Sequence, residues 1–569
     1  MKKNFFLIFI FLFFIAFIVF RNLPQAYFQQ DEWHSFGHIV LNHFNIIKEF
    51  SNNWFNYVTG NMRLMAISLN FLLFKMFGLN AEFYAFFAIL FHALNSFLIF
   101  YLIYYIFKER KTAFLASLFF LLSSAHLQAF TWFGTISGTL PNATFSLLSL
   151  ILFIKYLQTG GKRNYYLSII FLTISVSFKE SSAFLVLFYG VLSYLLRRSK
   201  TKENIASFLK SFKLLWGVSA VFVLIYMIPV IRTLFTGYSA VSASGGSAGN
   251  PLLALFYNLI FYPFETLSQV FIVSPVIFQL ANELTMAKFY SLWGDELMRQ
   301  TVMAEYMTVI ASFLVLSIIL LSYKYLFKKD SKERKILLIS TFFILISVLP
   351  FIILPKGTSL LESRYYYLPS IGASVVFSLI VFGLWEKGKK LIGSRKTTLF
   401  IYKIGFAIII IWYFSGHVQF TSTEIEKQVK TGRVRKEILS EIKNTYPVIS
   451  KKSVFYTESD SYYYGPVSPT MPFQSGFGQM LIVLYSLDGN IDPKFNEKDF
   501  LWGIHDEGYK EIGDQGFGYY KTYGKLVAAL KEHKLKPENI YAFRWKNQKL
   551  SKISSEIREK VEKEYAKSN

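Results

Sequence analysis

Five short stretches hold the acids and bases that could do chemistry. "QQDEWHSFG" sets Asp31 beside Glu32 with His34 two residues on, and "GNMRLM" carries Arg63. "SSAHLQAF" carries His126 and Gln128, "SFKESSAF" joins Lys179 to Glu180, and "LLESRYYYLP" sets Glu362 two residues before Arg364. A carboxylate such as Asp31 can accept a proton from a hydroxyl, with Glu32 or His34 holding it or tuning its pKa. Arg364 as a fork and Lys179 as a point charge would bind and neutralise a departing phosphate. Together they suit transfer from a phosphate-linked donor to a hydroxyl. A divalent metal, Mg²⁺ or Mn²⁺ at Asp31, is a weaker expectation, because no further oxygen ligands accompany the carboxylate pair.

Each group also has a plainer reading. Asp31 and Glu32 make an ordinary solvated helix flank, Lys179 and Glu180 a local ion pair in a tight turn, and His126 a packed histidine. Arg364 can anchor a helix end beside its tyrosines. The chemical reading gains only if the elements between these stretches bring them to one face.

Those elements are apolar. The 569 residues are 53% hydrophobic and 19% aromatic, with a mean hydropathy of +0.37. The apolar runs are long enough to cross a hydrocarbon core of about 30 Å, which makes the chain a polytopic helical membrane protein. The first run, "FFLIFIFLFFIAFIVF", is too long for a signal-peptide core and ends at Arg21 and Pro24, so it reads as an uncleaved helix. Without cysteine there is neither a disulfide nor a thiolate nucleophile.

The net charge of +24 is unevenly spread. Residues 421–569 hold 24 Lys and Arg against 20 Asp and Glu, leaving +20 for the apolar part, in short loops such as "KERK", "GGKR", "RRSKTK", "KKDSKERK" and "KGKKLIGSRK". That is the positive-inside pattern of a membrane protein, and it removes the case for a nucleic-acid partner. Taking the basic loops as cytoplasmic threads about eleven spans, with the N-terminus inside and the C-terminus outside a plasma or inner membrane. Asp31, Glu32, Arg63, His126, Gln128, Lys179, Glu180, Glu362 and Arg364 then all fall on the external side. Convergence of separate hairpins on one face is what a shared polar cavity needs.

Between the first two spans, "RLMAISLNFLLFKMFG" reads as an amphipathic interfacial helix. A second long external segment opens with the flexible "SASGGSAGNP", a lid over the site or simply a loop. Residues 1–419 form the membrane module on this reading, and 420–569 a small external α/β domain, with "SVFYTES" as a strand and "KTYGKLVAALKEHKLKPENIYAFRW" as helix, turn and strand.

In order along the chain, "DEWHSFG", "NMRLMAISLNFLLFKMFGLNAEFYAFFAILFHALN", "SSAHLQAFTWFGTISGTL", "FKESS" and "ESRYYYLPSIGAS" resemble motifs of the GT-C superfamily of polyprenyl-phosphate-sugar glycosyltransferases. Within it they are most similar to protein O-mannosyltransferases of the transmembrane and tetratricopeptide-repeat type, without the repeats. The chain departs from that pattern at Ser124, Ala125 and Gln128, and it lacks an arginine over Ile136–Gly138. The resemblance implies inverting transfer of a sugar, mannose first, from a polyprenyl-phosphate donor to a hydroxyl of exported protein, with Asp31 as base. The same chemistry on a lipid or cell-envelope glycan is the sister reading. A transporter or lipid flippase, or an inactive scaffold, is the alternative of another class.

Overall fold

The computed structural model describes residues 2–568 apart from 30, 52–62, 202–211, 237–250, 273, 289–295, 330, 354–361, 394–395, 460–475 and 504. The glycine- and serine-rich stretch at 241–250 lies outside the described residues.

Helix boundaries follow local chemistry. Asn80 opens the helix Ala81–Phe107 by accepting the Glu82 N–H on its side chain, and the helix stops where Lys108 turns left-handed at φ 61°. Gly160 ends Phe133–Thr159 in the same way at φ 72°. Ser331 caps Lys332–Ile346 through the Arg334 N–H. Among the described residues six helices are long and apolar enough to cross a membrane: Ala81–Phe107, Phe133–Thr159, Val302–Leu326, Lys332–Ile352, Pro369–Ile392 and Lys396–Thr445. The chain is a helical membrane protein with a small sheet. Phe5–Val19, Leu64–Phe77, Glu180–Tyr194 and Lys213–Ile225 are shorter apolar helices. Leu64–Phe77 is not amphipathic as expected: it buries Ala66, Phe71, Leu73 and Phe74 and also exposes Leu64, Met65, Leu72 and Met76.

The two ends of the bundle differ in chemistry. Near its start, Tyr84 packs on Phe28 and Phe36, next to the acidic helix Asp31–Leu41. Near its other end, the Ile106 carbonyl accepts from the Lys332 ammonium and Phe107 lies under the same lysine. At 1.5 Å per residue these contacts are roughly 33 Å apart, about one hydrocarbon thickness. Lys108 sits over Tyr105, Lys155 over Tyr101, and Lys387 reaches the Tyr325 carbonyl. Basic loops thus gather at the end away from Asp31.

The 50-residue helix Lys396–Thr445 runs unbroken through residue 420. At about 75 Å it is far longer than a bilayer core, so its polar half must project beyond it. Along that half His417, Thr421, Ile425, Val429, Gly432 and Arg435 form a buried stripe at helical spacing. It leads into a five-stranded sheet of order β2-β3-β1-β4-β5. β1 is Lys452–Ser459, β2 Gly508–Ile512, β3 Gln515–Tyr520, β4 Ile540–Lys546 and β5 Lys549–Lys552. β1 pairs parallel with β3 and β4, while the edge pairs are antiparallel.

Alternation sorts the strand residues to two faces. Val454 and Tyr456 join the cluster under Tyr523–Glu532 and Ser554–Ser568. Phe455 and Phe517 join the main core through Phe477–Leu487, which packs on Asp31–Leu41. The sheet is thereby fixed to the acidic end of the bundle.

Close helix approach also matters at the core. A Cβ on Gly372 would lie 2.7 Å from the Ser340 carbonyl oxygen and 2.9 Å from Ile344, so the helices Pro369–Ile392 and Lys332–Ile346 touch only because this residue is small. Gly372→Leu is expected to cost about 1–3 kcal/mol by overpacking, seen as a lower unfolding temperature of the protein in detergent; an unchanged melt contradicts this packing.

Candidate active site

Three connected groups build the site. The first is the turn after Lys162–Phe178, where Lys179 and Glu180 lie. Asn142, buried in Phe133–Thr159, donates its amide to the carbonyls of Ser175 and Lys179, each at 2.9 Å, and to Ser182 Oγ at 2.8 Å. Its own oxygen accepts from Ser181 Oγ at 3.0 Å. One side chain therefore ties the last turn of the helix to the residues that follow it and sets the course of the turn.

Held this way, Lys179 is buried. Its Nζ donates to Thr139 Oγ1 at 3.0 Å and stands 5.4 Å from the Tyr365 ring and 5.8 Å from that of Phe351. Among the described residues no carboxylate lies within ion-pair distance of it. Burial, with Arg63 next, pushes its pKa down to about 7. Glu180 turns instead to Arg63, whose Nε and Nη2 donate to its two oxygens at 2.8 and 2.5 Å. Burial pushes the Glu180 carboxyl up, but Arg63 and Lys179 outweigh it and hold it at about 2.

The second group is the turn Ser363–Tyr366. Its base is a polar network in the bundle: His92 Nδ1 meets Tyr367 Oη at 2.9 Å, Asn95 donates to the same oxygen at 3.1 Å, and Thr144 donates to Asn95 at 2.7 Å. Pairing every polar group is what lets such a network persist in apolar surroundings. It fixes Tyr367, and with it Arg364 three residues earlier. The Arg364 guanidinium lies over Trp132 at 4.4 Å and Tyr365 at 4.9 Å and pairs with the exposed Glu362.

The third group is the start of Asp31–Leu41. Glu32 is buried and accepts from the Gly134 N–H at 2.9 Å, at the first turn of Phe133–Thr159, and from the Gln29 N–H at 3.3 Å. It caps a helix N-terminus, a favourable place for an anion. Asp31 remains solvent-facing. Crowding by protein raises its pKa, with Arg364 and then His34 pulling it back. A Cβ on Gly134 would lie 3.3 Å from Trp132 Nε1 and 3.5 Å from Asp31 Cβ. Asp31, Trp132, Arg364, Tyr365 and Lys179 therefore follow one another along one rim.

Other expected residues have different surroundings. His126 is fully buried, with Nδ1 at 3.0 Å from Ser370 Oγ and its ring packed on Phe120 and Tyr367. Gln128 bonds through its backbone N–H to Ser363 Oγ at 3.1 Å, tying its short helix to the Arg364 turn. His34 faces the sheet domain: its Nε2 is 2.7 Å from Asp499 and its ring 4.8 Å from that of Trp502. Thr139, Asn142, Trp132 and Tyr365 were not singled out from sequence; their distances from Lys179 and Arg364 along the chain left no local signal.

Lys179, Thr139, Asn142, Arg364, Tyr365 and Phe351 line a cavity of about 10 Å³, room for one water. As it stands the cavity is too small for a phosphate beside Lys179. Asp31 belongs to no cluster of three or more potential metal ligands among the described residues. Neither the protein-family models nor the curated proteins yield a match to this chain.

Arg63→Ala would leave the half-buried Glu180 without its fork and should cost about 1–2 kcal/mol. Adding Glu180→Gln to that variant should restore part of the loss. Thermal unfolding of the single and double variants checks it, and additive losses would show that the pair is not coupled.

Proposed function

We propose that this protein is a membrane glycosyltransferase of the GT-C type, moving a sugar, mannose first, from a polyprenyl-phosphate donor to a hydroxyl acceptor. The observation that carries the proposal is Lys179, a buried lysine with a hydroxyl partner and, among the described residues, no carboxylate at ion-pair distance, followed by Arg364 and a solvent-facing Asp31. Burial favours the neutral amine, and an anionic ligand beside it would restore the charged form. A lipid-linked phosphate suits it, because its prenyl chain stays in the bilayer while its head group meets the rim.

In the proposed reaction Asp31 takes the proton of the acceptor hydroxyl as that oxygen bonds to the anomeric carbon from the face opposite the phosphate. The bond between anomeric carbon and phosphate oxygen breaks, and its electron pair leaves with the phosphate toward Arg364 and Lys179. Configuration inverts in this single displacement. Glu32, Glu180 and Arg63 are positioning residues: Glu32 fixes the helix that bears Asp31, and the Arg63–Glu180 pair keeps Glu180 from neutralising Lys179. With the basic loops in the cytoplasm by the positive-inside rule, transfer takes place on the extracytoplasmic side, where the sheet domain also lies. A Ser or Thr hydroxyl of exported protein is the first acceptor to try, and an envelope glycan the second.

Purified protein in detergent should transfer labelled mannose from a short-chain polyprenyl-phosphate mannose, and Asp31→Asn should lower the rate by about 10²–10⁴-fold while the melt is unchanged. Transfer that survives Asp31→Asn, or no turnover of mannosyl or glucosyl donors by wild type, contradicts the proposal.

The pH profile of kcat/KM is a second test. Asp31 acts deprotonated, so its limb rises with pH from above the ordinary carboxylate range. Lys179 acts protonated, so the other limb falls above about 7. Lys179→Arg, charged at every working pH, should remove the falling limb; a wild-type profile flat from pH 6 to 9 argues against this role for Lys179.

A further inference from the structure

A second cluster sits one helical turn beyond Asp31. His34 and His38 are four residues apart and share one face of Asp31–Leu41. Asp499 meets them from the sheet domain, 465 residues away in sequence from His34. The three facing atoms form a triangle: His34 Nε2 to Asp499 Oδ1 2.7 Å, His34 Nε2 to His38 Nε2 3.2 Å, and His38 Nε2 to Asp499 Oδ1 3.6 Å. A tetrahedral zinc with bonds of about 2.0–2.1 Å sets its ligand atoms roughly 3.3–3.4 Å apart. The observed sides bracket that separation.

The backbone is bent to achieve this. Lys498 and Asp499 are consecutive left-handed residues at φ 57° and 53°, and Leu501 follows at 61°. Non-glycine residues pay for that conformation, and it persists where surroundings impose it. The approach is close too: a Cβ on Gly37 would lie 2.8 Å from the Asn496 side-chain oxygen. Trp502 packs on the His34 ring and limits its orientation. All three ligand side chains keep solvent access, so an ion can enter.

We propose that His34, His38 and Asp499 form a zinc site clasping the sheet domain to the helix that carries Asp31 and Glu32. Two imidazole nitrogens facing one point, with a carboxylate beside them, suit Zn²⁺ over Mg²⁺, which takes oxygen ligands. Three protein ligands leave a fourth position for water. The site differs from the Mg²⁺ or Mn²⁺ expected at Asp31, and it stands whether or not the protein transfers sugar.

The test is zinc binding by the full chain in detergent, stripped with chelator and titrated with Zn²⁺, with Co²⁺ absorption reporting ligand geometry. One zinc per chain and a tetrahedral Co²⁺ spectrum are expected. His38→Gln and Asp499→Asn should each weaken binding about 100-fold or more, since losing even an outer-shell partner costs 10–100-fold. Wild type that retains no stoichiometric zinc overturns the proposal, and this result needs no variant to fold. Equal retention by both variants, with melts like wild type, overturns it as well.

Discussion

A lysine buried in the turn at the end of an apolar helix is the constraint around which the candidate site is arranged. Leaving a buried cation unpaired is expensive, and Glu180, the obvious partner, is the next residue. The fold spends Glu180 on Arg63 and gives Lys179 a hydroxyl and two aromatic faces. That division needs the turn to follow one path, which Asn142 sets from a neighbouring helix. It needs Tyr365 and Arg364 in place, which the network of His92, Asn95 and Tyr367 supplies.

Adjacent polar pairs in this chain divide their labour. In Asp31–Glu32 the second carboxylate caps a helix and the first stays free; in Lys179–Glu180 the acid is structural and the base is left over. Glu362 and Arg364 pair with each other at the open edge, within reach of solvent. The Glu362 end of this pair is solvent-screened, which weakens its hold on Arg364. Arg364 can therefore leave Glu362 for a stronger anion at small cost.

Much of this was legible in the sequence. Apolar run lengths mark the membrane helices, and the charge in short loops marks one end of the bundle. "SVFYTES" and "YAFRW" read as strands because their apolar residues are dense and flanked by turns, and both lie in the sheet. Asp31, Lys179 and Arg364 stood out because ionisable groups near apolar runs are costly. What could not be read was pairing at a distance: that Glu32 would cap residue 134, that Arg63 would find Glu180, and that Asp499 would meet His34 and His38. Leu64–Phe77 is not amphipathic because leucines and methionines lie on its exposed side as well, and the charges of Arg63 and Lys75 do not reveal that. His38 was within view, one turn after His34, but its significance depends on a residue more than 450 positions later.

The central proposal is that Lys179 binds the phosphate of the donor. The most direct measurement is the affinity of the detergent-solubilised protein for a short-chain polyprenyl monophosphate, compared between wild type, Lys179→Gln and Lys179→Arg. Loss of a charge-assisted contact worth about 1.5–3 kcal/mol predicts binding roughly ten- to a hundredfold weaker in Lys179→Gln. Lys179→Arg should keep most of the affinity. Equal binding by wild type and Lys179→Gln would contradict the account.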